Sequence, residues 1–476
     1  MISLKYIVVV PILVGLLAYL YPRNYNYEDD MNERLQQVLS GLLRAEKRIA
    51  QPNAKIAVGF GGCKDMFVDG LALLDVLKYA APENPEHFES VDTQEELTKM
   101  MAYFFQHGAA AERYINNDTL FNQLTRAAKG IPGYRELFGG NAPVMAERMA
   151  KDGADVLLAA RLSENTLKSL HPGLRVLGDE LEEDDIHLIL EYKTGDKWGK
   201  FTSPRANRFI VHSDNSNPYL ETLEDLEKEI LKFDPSVLVV GGLQMMDNFP
   251  FKEGEMDSRL GKLRSLLSTL PRKIDIHFEM ASFSDPLLLQ KIMTNVVEYS
   301  DSLGMNEQEL PNLLSMLQYG NVSLLSDAHP RVASVLDQMR LVYKLLKDTK
   351  EIDGRRKLTR LHVHTLAYQA IMTTKGSPWK NTMSATAKAS LTAHRHVCGS
   401  NYIHTEKSKL LMDESFASSI SSSSTRISLH ENRPVSCWDE DDYEICVAPV
   451  LVCTQVRQTA GGGDNISSAG LLVQVD

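Results

Sequence analysis

Residues 459–470 read TAGGGDNISSAG and lie close to the C-terminus of the chain. Gly461, Gly462 and Gly463 allow tight turns and a close approach of the backbone to a ligand. The small residues that follow are typical of a helix start, whose free N–H groups form an anion site. A carboxylate does not bind phosphate, but Asp464 could accept a proton from a hydroxyl that attacks one. The stretch alone predicts either a phosphoryl-transfer site or an ordinary helix start with a first-turn acid.

Upstream of this loop, the chain from Pro235 onward alternates between short apolar runs and longer helical patterns. Strands that alternate with helices predict a parallel sheet covered on both faces. The predicted strands 186–192 and 209–212 have few helices between them, which indicates a small mixed sheet or lid. We therefore predict the α/β class, with a large central, mostly parallel sheet flanked by helices and a smaller α/β lid, mainly from segments within residues 60–220. The other predicted strands are 55–60, 154–159, 236–240, 273–278, 301–305 and 359–364, and helices are predicted at 258–270, 284–297, 307–318 and 329–347.

The N-terminus carries an apolar run at residues 6–21, between Lys5 and Arg23. The run is short for a membrane span and Pro11 interrupts it, which fits a secretory signal or a signal anchor. We assign residues 1–22 to this signal peptide or anchor. It predicts a chain in the endoplasmic reticulum lumen or secretory pathway, with membrane contact only through this segment.

The remaining 454 residues divide into a linker and helix at 23–54 and one large domain at 55–476, with a Ser-rich loop of little order at 413–428. A net charge of -12 argues against a nucleic-acid partner. We expect a monomer. The five cysteines show no zinc-like spacing, so we expect mostly buried thiols. A disulfide is possible in an oxidising compartment, and the odd number leaves at least one thiol free.

Two acidic clusters follow predicted strands. His277 and Glu279 point to the same side of one strand, and Asn306, Glu307 and Glu309 stand where the next strand runs into a helix. Mg²⁺ keeps several waters and takes few carboxylate oxygens, which these glutamates could supply directly or through water. Taken singly, the glutamates of the second cluster could be first-turn helix acids and the histidine a core residue. Their joint occurrence with the glycine loop favours a metal-assisted site.

Three further segments could contact a ligand. The turn at 61–65 leaves Asp65 just beyond a strand, where open α/β sheets bind ligands, although it meets neither Walker-A nor dinucleotide spacing. Glu112 stands among small residues in a region that we predict as helical, and its alternative role is a solvated helix carboxylate. The residues Gly139, Gly140 and Asn141 open another predicted helix and could present N–H groups to a ligand.

Together these motifs resemble the ADP-dependent glucokinases of the ribokinase-like superfamily, over about residues 55–470. The metazoan branch of that family also carries an N-terminal hydrophobic segment and is associated with the endoplasmic reticulum. The matching strings are GAAAER at 108–113, GGNA at 139–142, ANRFI at 206–210, GLQMM at 242–246, HFE at 277–279, LGMNEQEL at 303–310, HVHTL at 362–366 and TAGGGD at 459–464.

The resemblance implies transfer of the β-phosphoryl group of ADP to the 6-hydroxyl of D-glucose, which gives glucose 6-phosphate and AMP with Mg²⁺ as cofactor. It implies that Asp464 is the catalytic base and that the three glycines before it bind the transferring phosphoryl group. The other implied roles are sugar contacts for Asp65, Glu112, Gly139, Gly140 and Asn141, nucleotide contacts for Arg205, Asn207, Arg208 and His364, and magnesium binding for His277, Glu279, Asn306, Glu307 and Glu309.

Two positions depart from the family's pattern. Gly61 stands where the family usually has Asn, which removes one sugar hydrogen bond, and Gly462 adds a flexible third glycine to the anion loop. One alternative is therefore a sugar- or nucleotide-binding lumenal protein with impaired catalysis. Another is a fructose 6-phosphate kinase, but that substrate calls for basic residues, and the candidate sugar loops contribute only Lys64 and Arg113.

Overall fold

The computed structural model describes residues 27–47, 54–324, 326–327, 329–422 and 424–475. The predicted signal or anchor at 1–22 lies outside these residues. Within the described ranges, no helix is both long enough and apolar enough to cross a membrane.

Strands and helices alternate over most of the described chain. The strands are β1 (Lys55–Gly59), β2 (Cys63–Asp69), β3 (Ala111–Tyr114), β4 (Arg135–Gly139), β5 (Asp155–Ala159), β6 (Leu174–Leu177), β7 (Ile186–Tyr192), β8 (Lys197–Trp198), β9 (Phe201–Thr202), β10 (Asn207–His212), β11 (Val237–Val240), β12 (Asp275–Glu279), β13 (Ser302–Asn306), β14 (Arg360–His364), β15 (Tyr368–Thr374), β16 (Ser408–Leu410), β17 (Ser415–Ala417), β18 (Arg426–Ser428), β19 (Ser436–Glu440), β20 (Tyr443–Pro449) and β21 (Leu451–Cys453). The α-helices are Tyr27–Glu46, Gly70–Val76, Gln94–His107, Asp118–Ala128, Asn141–Lys151, Glu164–Ser169, Leu223–Phe233, Glu255–Thr269, Pro286–Asn295, Glu309–Tyr319, Val332–Leu346, Thr382–Cys398 and Gly462–Gln474.

The large sheet has ten strands in the order β19-β20-β15-β14-β13-β12-β11-β1-β5-β6. The strands from β14 to β6 run parallel, and β15, β20 and β19 add an antiparallel edge. Apolar side chains cover both faces, so the parallel strands are buried nearly throughout. The predicted α/β class and mostly parallel sheet are confirmed, and each of the predicted strands lies within two residues of an observed one.

The smaller sheet, which we call the lid, has five strands in the order β3-β10-β7-β2-β4. Helices from residues 70–128 pack on one face around a separate apolar core, and the other face looks toward the large sheet. The segment 141–177 lies between the lid strands in sequence but returns to the large sheet. The chain therefore passes between the two sheets four times. The lid strands lie opposite the carboxyl ends of the parallel strands.

Two local predictions in the lid were wrong. Asp65 lies inside β2 rather than in a turn, because Gly61, at φ 77°, redirects the chain into a new strand that pairs with β4 and β7. Glu112 lies in β3 rather than in a helix. The preceding helix starts with a capping box at Thr93 and ends at Gly108, whose left-handed conformation frees the chain to pair with β10.

The Ser-rich segment 413–428 also differs from prediction, because β17 and β18 pair antiparallel across it. Phe416 is buried against the large core and fixes the hairpin.

Most cysteines are paired rather than free, which contradicts the expectation of buried thiols. Disulfides join Cys398 to Cys453 and Cys437 to Cys446. Cys63 is the free thiol among the described cysteines and is buried.

Candidate active site

A cavity of about 590 Å³ lies between the lid and the carboxyl ends of the parallel strands. Ligands of open α/β sheets bind at this edge. The cavity brings together most of the residues singled out in the sequence: Glu112, Asn141, Arg205, Asn207, Arg208, Glu279, Asn306, Glu307, Glu309, His364, Gly461, Gly462, Gly463 and Asp464.

Asp464 stands in the first turn of the C-terminal helix, Gly462–Gln474. Asn141 Nδ2 donates to its Oδ1 at 2.8 Å, and Gln244 Nε2 donates to Asn141 Oδ1 at 2.6 Å. Burial and the negative charge of Glu279 raise the pKa of the Asp464 carboxyl to about 7, although the hydrogen bond from Asn141 opposes the shift. A carboxylate with this pKa is suited to accept a proton near neutral pH.

The glycine loop before Asp464 is shaped by two of its three glycines. Gly461 precedes the helix at φ 68°, a conformation that L-residues rarely adopt. A Cβ atom on Gly463 would lie 2.8 Å from Cε1 of His364, whereas one on Gly462 would meet only His396 at 3.7 Å. The departure from the family pattern at Gly462 is therefore compatible with the loop's geometry.

We expect Gly461→Ala and Gly463→Ala to lower kcat for phosphoryl transfer by roughly 100-fold. The added methyl group would shift the loop backbone by a fraction of an ångström or more in each variant. Gly462→Ala is the matched control and should leave kcat nearly unchanged, with a gain in unfolding free energy of about 0.4–1 kcal/mol. Initial rates and thermal unfolding of the three variants check this. Equal losses in all three would mean that the loop's flexibility matters, rather than its shape.

Glu279 is held by three donors at the end of β12. His277 Nε2 and Ser467 Oγ donate to its Oε2 at 2.9 and 2.5 Å, and His364 Nε2 lies 3.4 Å from Oε1. Burial disfavours the charged form, but the bonds from His277 and His364 outweigh it and hold the pKa of Glu279 below its usual range. His277 is fully buried and its other nitrogen contacts Ser302 Oγ, so it orients the carboxylate instead of facing the cavity.

Hydrogen bonds and an ion pair also hold the second acidic cluster, Asn306, Glu307 and Glu309, in place. Glu309 accepts from the N–H and Nδ2 of Asn306 at 2.8 and 2.7 Å, and its own N–H donates to Asn306 Oδ1. Glu307 forms an ion pair with Arg205 of the lid at 2.9 Å. Burial raises the pKa of the Glu309 carboxyl to about 8, although the charge of His364 and the hydrogen bond from the Asn306 N–H oppose the shift.

The carboxylates of Glu279, Glu307 and Glu309 all line the cavity but do not form a compact cluster. Within the part of the chain that the structure describes, Glu279, Glu307 and Glu309 do not place one carboxylate oxygen each within 4.8 Å of one another. Carboxylates spread in this way fit a hard cation that keeps its waters and binds phosphate oxygens, because Mg²⁺ needs few direct protein ligands.

The predicted nucleotide contacts have different roles in the structure. Arg208 lines the cavity, and within the described chain its buried Nε has no hydrogen-bond partner. Asn207 braces it, accepting from Arg208 Nη1 at 3.2 Å and donating to Gly108 O at 2.7 Å. An unpaired buried guanidinium N–H costs free energy unless an anion reaches it.

Four of the five predicted sugar contacts, Asp65, Gly139, Gly140 and Asn141, meet where β2, β4 and the helix Asn141–Lys151 converge, and Glu112 lies in β3. Of the five, Asn141 and Glu112 line the cavity and the other three do not. Gly139 lies against the carboxylate of Asp65, where any Cβ would collide with it, and Gly140, at φ 84°, packs on the carbonyl of Gly61. Burial raises the pKa of Asp65 to about 6.

Sequence reasoning missed a buried chain of polar residues behind Glu112. His187 lies between Glu112 Oε1 at 3.1 Å and Asp214 Oδ1 at 3.0 Å, and His212 Nδ1 is 3.2 Å from the same Asp214 oxygen. Asn217 donates to Asp214 Oδ2 at 2.7 Å. The signal was present, because these residues cluster at the ends of the two strands predicted for the lid.

A mostly parallel sheet with an acidic edge, a glycine loop that opens a helix, a buried carboxylate beside that loop and a lid are the parts expected of a small-molecule kinase. The chain matches the family described as the ADP-specific phosphofructokinase/glucokinase conserved region, over residues 54–473. The chain belongs to this family, so the resemblance seen in the sequence is confirmed.

Named relatives agree with this placement. A bovine (Bos taurus) protein named ADP-dependent glucokinase is 32% identical over 423 residues, which cover 88% of this chain and 84% of the relative. A Caenorhabditis elegans protein named probable ADP-dependent glucokinase is 29% identical, covering 96% and 94%. A solved ADP-dependent kinase complex with fructose-6-phosphate and ADPβS superposes with a TM-score of 0.66 at 18% identity, covering 93% and 97%, which supports the fold.

Proposed function

We propose that the chain transfers the β-phosphoryl group of ADP to the 6-hydroxyl of D-glucose and releases glucose 6-phosphate and AMP. The observation that carries the proposal is the position of Asp464, next to the anion loop and bonded to Asn141 on the sugar side. The names of the bovine and worm relatives support the choice of ADP and glucose.

In this mechanism Asp464 accepts the proton of the 6-hydroxyl as its oxygen attacks phosphorus. The N–H groups of Gly461, Gly462 and Gly463 stabilise the charge on the transferring group, and Arg208 neutralises it from the lid side. Asn141 aligns the base, and Gln244 fixes Asn141. Lid closure excludes water, which prevents transfer to water in place of the sugar.

The acidic edge supports a proposal of Mg²⁺ as cofactor. Glu279, Glu307 and Glu309 would hold the ion, mostly through its waters, with Asn306 and His277 orienting them. When bound, the ion supplies positive charge that neutralises the phosphates of the donor.

An apolar wall at the far end of the cavity fits the adenine ring. It combines Leu366, Ala393, Val450, Val452 and Ile466, which pack together beside the C-terminal helix. A flat base gains by burying its faces against such a surface. We propose that Arg205, Asn207, Arg208 and His364 face the phosphate end of the same nucleotide.

The acceptor pocket favours an unphosphorylated sugar. Arg113 points away from it, with its guanidinium buried against Phe104 and the carbonyl of Phe88, and Lys64 lies 3.8 Å from Glu136. The cavity instead presents the carboxylate of Glu112, which would repel a sugar phosphate, whereas Asp65 does not line it.

The test offers Mg-ADP with glucose and with fructose 6-phosphate in parallel and identifies the products. Glucose 6-phosphate from the first mixture, with little product from the second, is the expected result. Preferential phosphorylation of fructose 6-phosphate would establish the rival activity instead.

We expect kcat/KM for glucose to rise with pH and to level off above about pH 7. The base must be deprotonated, so activity appears as pH passes the raised pKa of Asp464. Asn141→Ala removes a donor that stabilises the anion, so its profile should shift to higher pH. A profile that is flat from pH 5.5 to 8.5 would argue against Asp464 as the base.

We also propose that the chain is a lumenal monomer. The apolar segment at 6–21 and the two disulfides support an oxidising compartment, and one chain supplies every residue proposed for the site. Protease protection of the expressed protein inside intact microsomes tests the compartment, and light scattering tests the oligomeric state. Digestion without detergent, or a dimer mass, would contradict the respective statement.

A further inference from the structure

Glu191 of the lid makes a polar contact with the segment that directly precedes the loop Gly461–Asp464. This residue lies in β7 on the face that looks toward the large sheet, and its Oε1 accepts from Thr459 N at 3.3 Å and from Thr459 Oγ1 at 3.2 Å. Thr459 stands two residues before Gly461, in the segment that leads from β21 to the C-terminal helix. One lid carboxylate therefore binds the segment just before the loop through two hydrogen bonds.

An apolar contact accompanies these bonds. Ala460 is 3% exposed and packs against Phe67 and Ile189 of the lid. On the other side, His396 Nε2 contacts the carbonyl oxygen of Ala460 at 2.8 Å. The residue next to Gly461 is thus clamped between the lid and the large domain, and opening the lid removes one side of the clamp.

Glu191 is itself held in place. Its Oε2 pairs with Arg135 Nη2 at 3.0 Å, and the guanidinium of Arg135 lies 4.3 Å from the ring centre of Phe67. The arginine and the ring belong to the neighbouring lid strands β4 and β2. The acceptor is therefore fixed on the lid, so the two bonds to Thr459 need little further ordering when the lid meets the loop.

We propose that Glu191 is a positioning residue, which makes the geometry of the loop Gly461–Asp464 depend on a closed lid. Glu191 acts through Thr459 and does not touch the substrates. The inference rests on the proposed function, in which the sugar binds beside Glu112 of the lid. Sugar binding then closes the lid, and the closed lid shapes the loop Gly461–Asp464. When ADP binds without the sugar, the loop is incompletely formed.

The separation of the two subsites gives the proposal a measurable signature. The apolar wall proposed for adenine lies in the large domain, and the lid residues Arg205 and Asn207 are held by Gly108 and Glu307 rather than by Glu191. Loss of Glu191 should therefore change ADP binding little. Arg208 lies opposite Glu191 on the neighbouring lid strand, so the coupling with Thr459 separates loop positioning from an effect through Arg208. The affected quantity is kcat with glucose, because the loop groups that stabilise the transferring phosphoryl group lose their alignment.

A double-mutant cycle on Glu191 and Thr459 tests the inference. Glu191→Ala should lower kcat about 10-fold or more, because a charged acceptor of two hydrogen bonds is lost, and Thr459→Val about 3-fold, because only the hydroxyl bond is lost. Thr459→Val should add nothing in the Glu191→Ala background. The Kd for ADP should change less than 2-fold. Glu95→Ala, on the outer helix of the lid, is the control and should behave as wild type.

Hydrogen exchange provides a readout that does not depend on turnover. Peptides that cover residues 456–464 should exchange faster in Glu191→Ala than in wild type or Glu95→Ala, with unchanged exchange in the core strands. Equal exchange in this segment, or an undiminished effect of Thr459→Val in the Glu191→Ala background, would overturn the inference. If wild type produced no glucose 6-phosphate, the proposed function would fail, while the exchange comparison would still decide the role of Glu191.

Discussion

Asp464→Asn is expected to lower kcat for ADP-dependent glucose phosphorylation by roughly 10²–10⁴-fold, the usual contribution of a general base. Asparagine keeps the shape of the side chain and its contact with Asn141 but cannot accept the proton. Binding of glucose and ADP should persist, because neither the proposed adenine wall nor the lid carboxylates change. Rates under saturating substrates, together with calorimetric binding, separate these effects. Loss of binding in parallel with rate would show that the substitution disrupts the site rather than the chemistry.

The same variant should be more stable than wild type at pH 8. The folded-state pKa of Asp464 is raised to about 7 from an ordinary 3.8, so the folded chain binds this proton more tightly than the unfolded chain. The resulting stabilisation is present in full below about pH 4 and is lost as pH rises through about 7. Asparagine does not titrate, so the variant does not lose this stabilisation as pH rises. Its unfolding free energy should exceed that of wild type by a few kcal/mol at pH 8, and the difference should shrink on acidification. Denaturant unfolding at pH 5 and pH 8 measures it.

Glu279→Gln is the second substitution with a large expected effect. The carboxylate accepts from His277, Ser467 and His364 inside a fully buried pocket. An amide offers one acceptor atom in place of two, and its NH₂ group faces a donor. Removing one member of a buried charged network costs about 3–5 kcal/mol of unfolding free energy.

Activity should fall with stability in this variant. Without the charge of Glu279, the proposed Mg²⁺ site loses its most firmly held carboxylate. We therefore expect kcat to drop by roughly 100-fold or more, and the concentration of Mg²⁺ needed for half-maximal activity to rise. Glu253→Gln, an exposed carboxylate outside the cavity, is the matched control. Wild-type stability and magnesium dependence in Glu279→Gln would contradict the role given to this residue.

Local signals were enough to predict the large sheet. Four of the seven parallel strands, β5, β11, β12 and β13, are short runs followed by a helix. The acidic residues at the ends of β12 and β13 do meet at one edge of the sheet. The lid was harder to predict, because β2 and β3 owe their strand conformation to partners that are distant in sequence. β3 pairs with β10 almost a hundred residues later, a contact that no local pattern reports.

The candidate site was likewise predictable only in part. The loop Gly461–Asp464 and the glutamates at strand ends could be found from residue type and position. The contacts that hold them could not, because they join residues far apart in sequence: Asn141 to Asp464, Ser467 to Glu279 and Glu191 to Thr459. The disulfides were equally inaccessible, since five cysteines allow many pairings.

The most direct measurement is the product balance with ADP and with ATP as separate phosphoryl donors, in the presence of glucose and Mg²⁺. We predict that ADP yields glucose 6-phosphate and AMP in equal amounts, and that ATP yields neither at a comparable rate. Formation of glucose 6-phosphate and ADP from ATP would contradict the donor assignment. Failure of both donors, in a protein that binds glucose and ADP, would identify a binding protein that has lost catalysis.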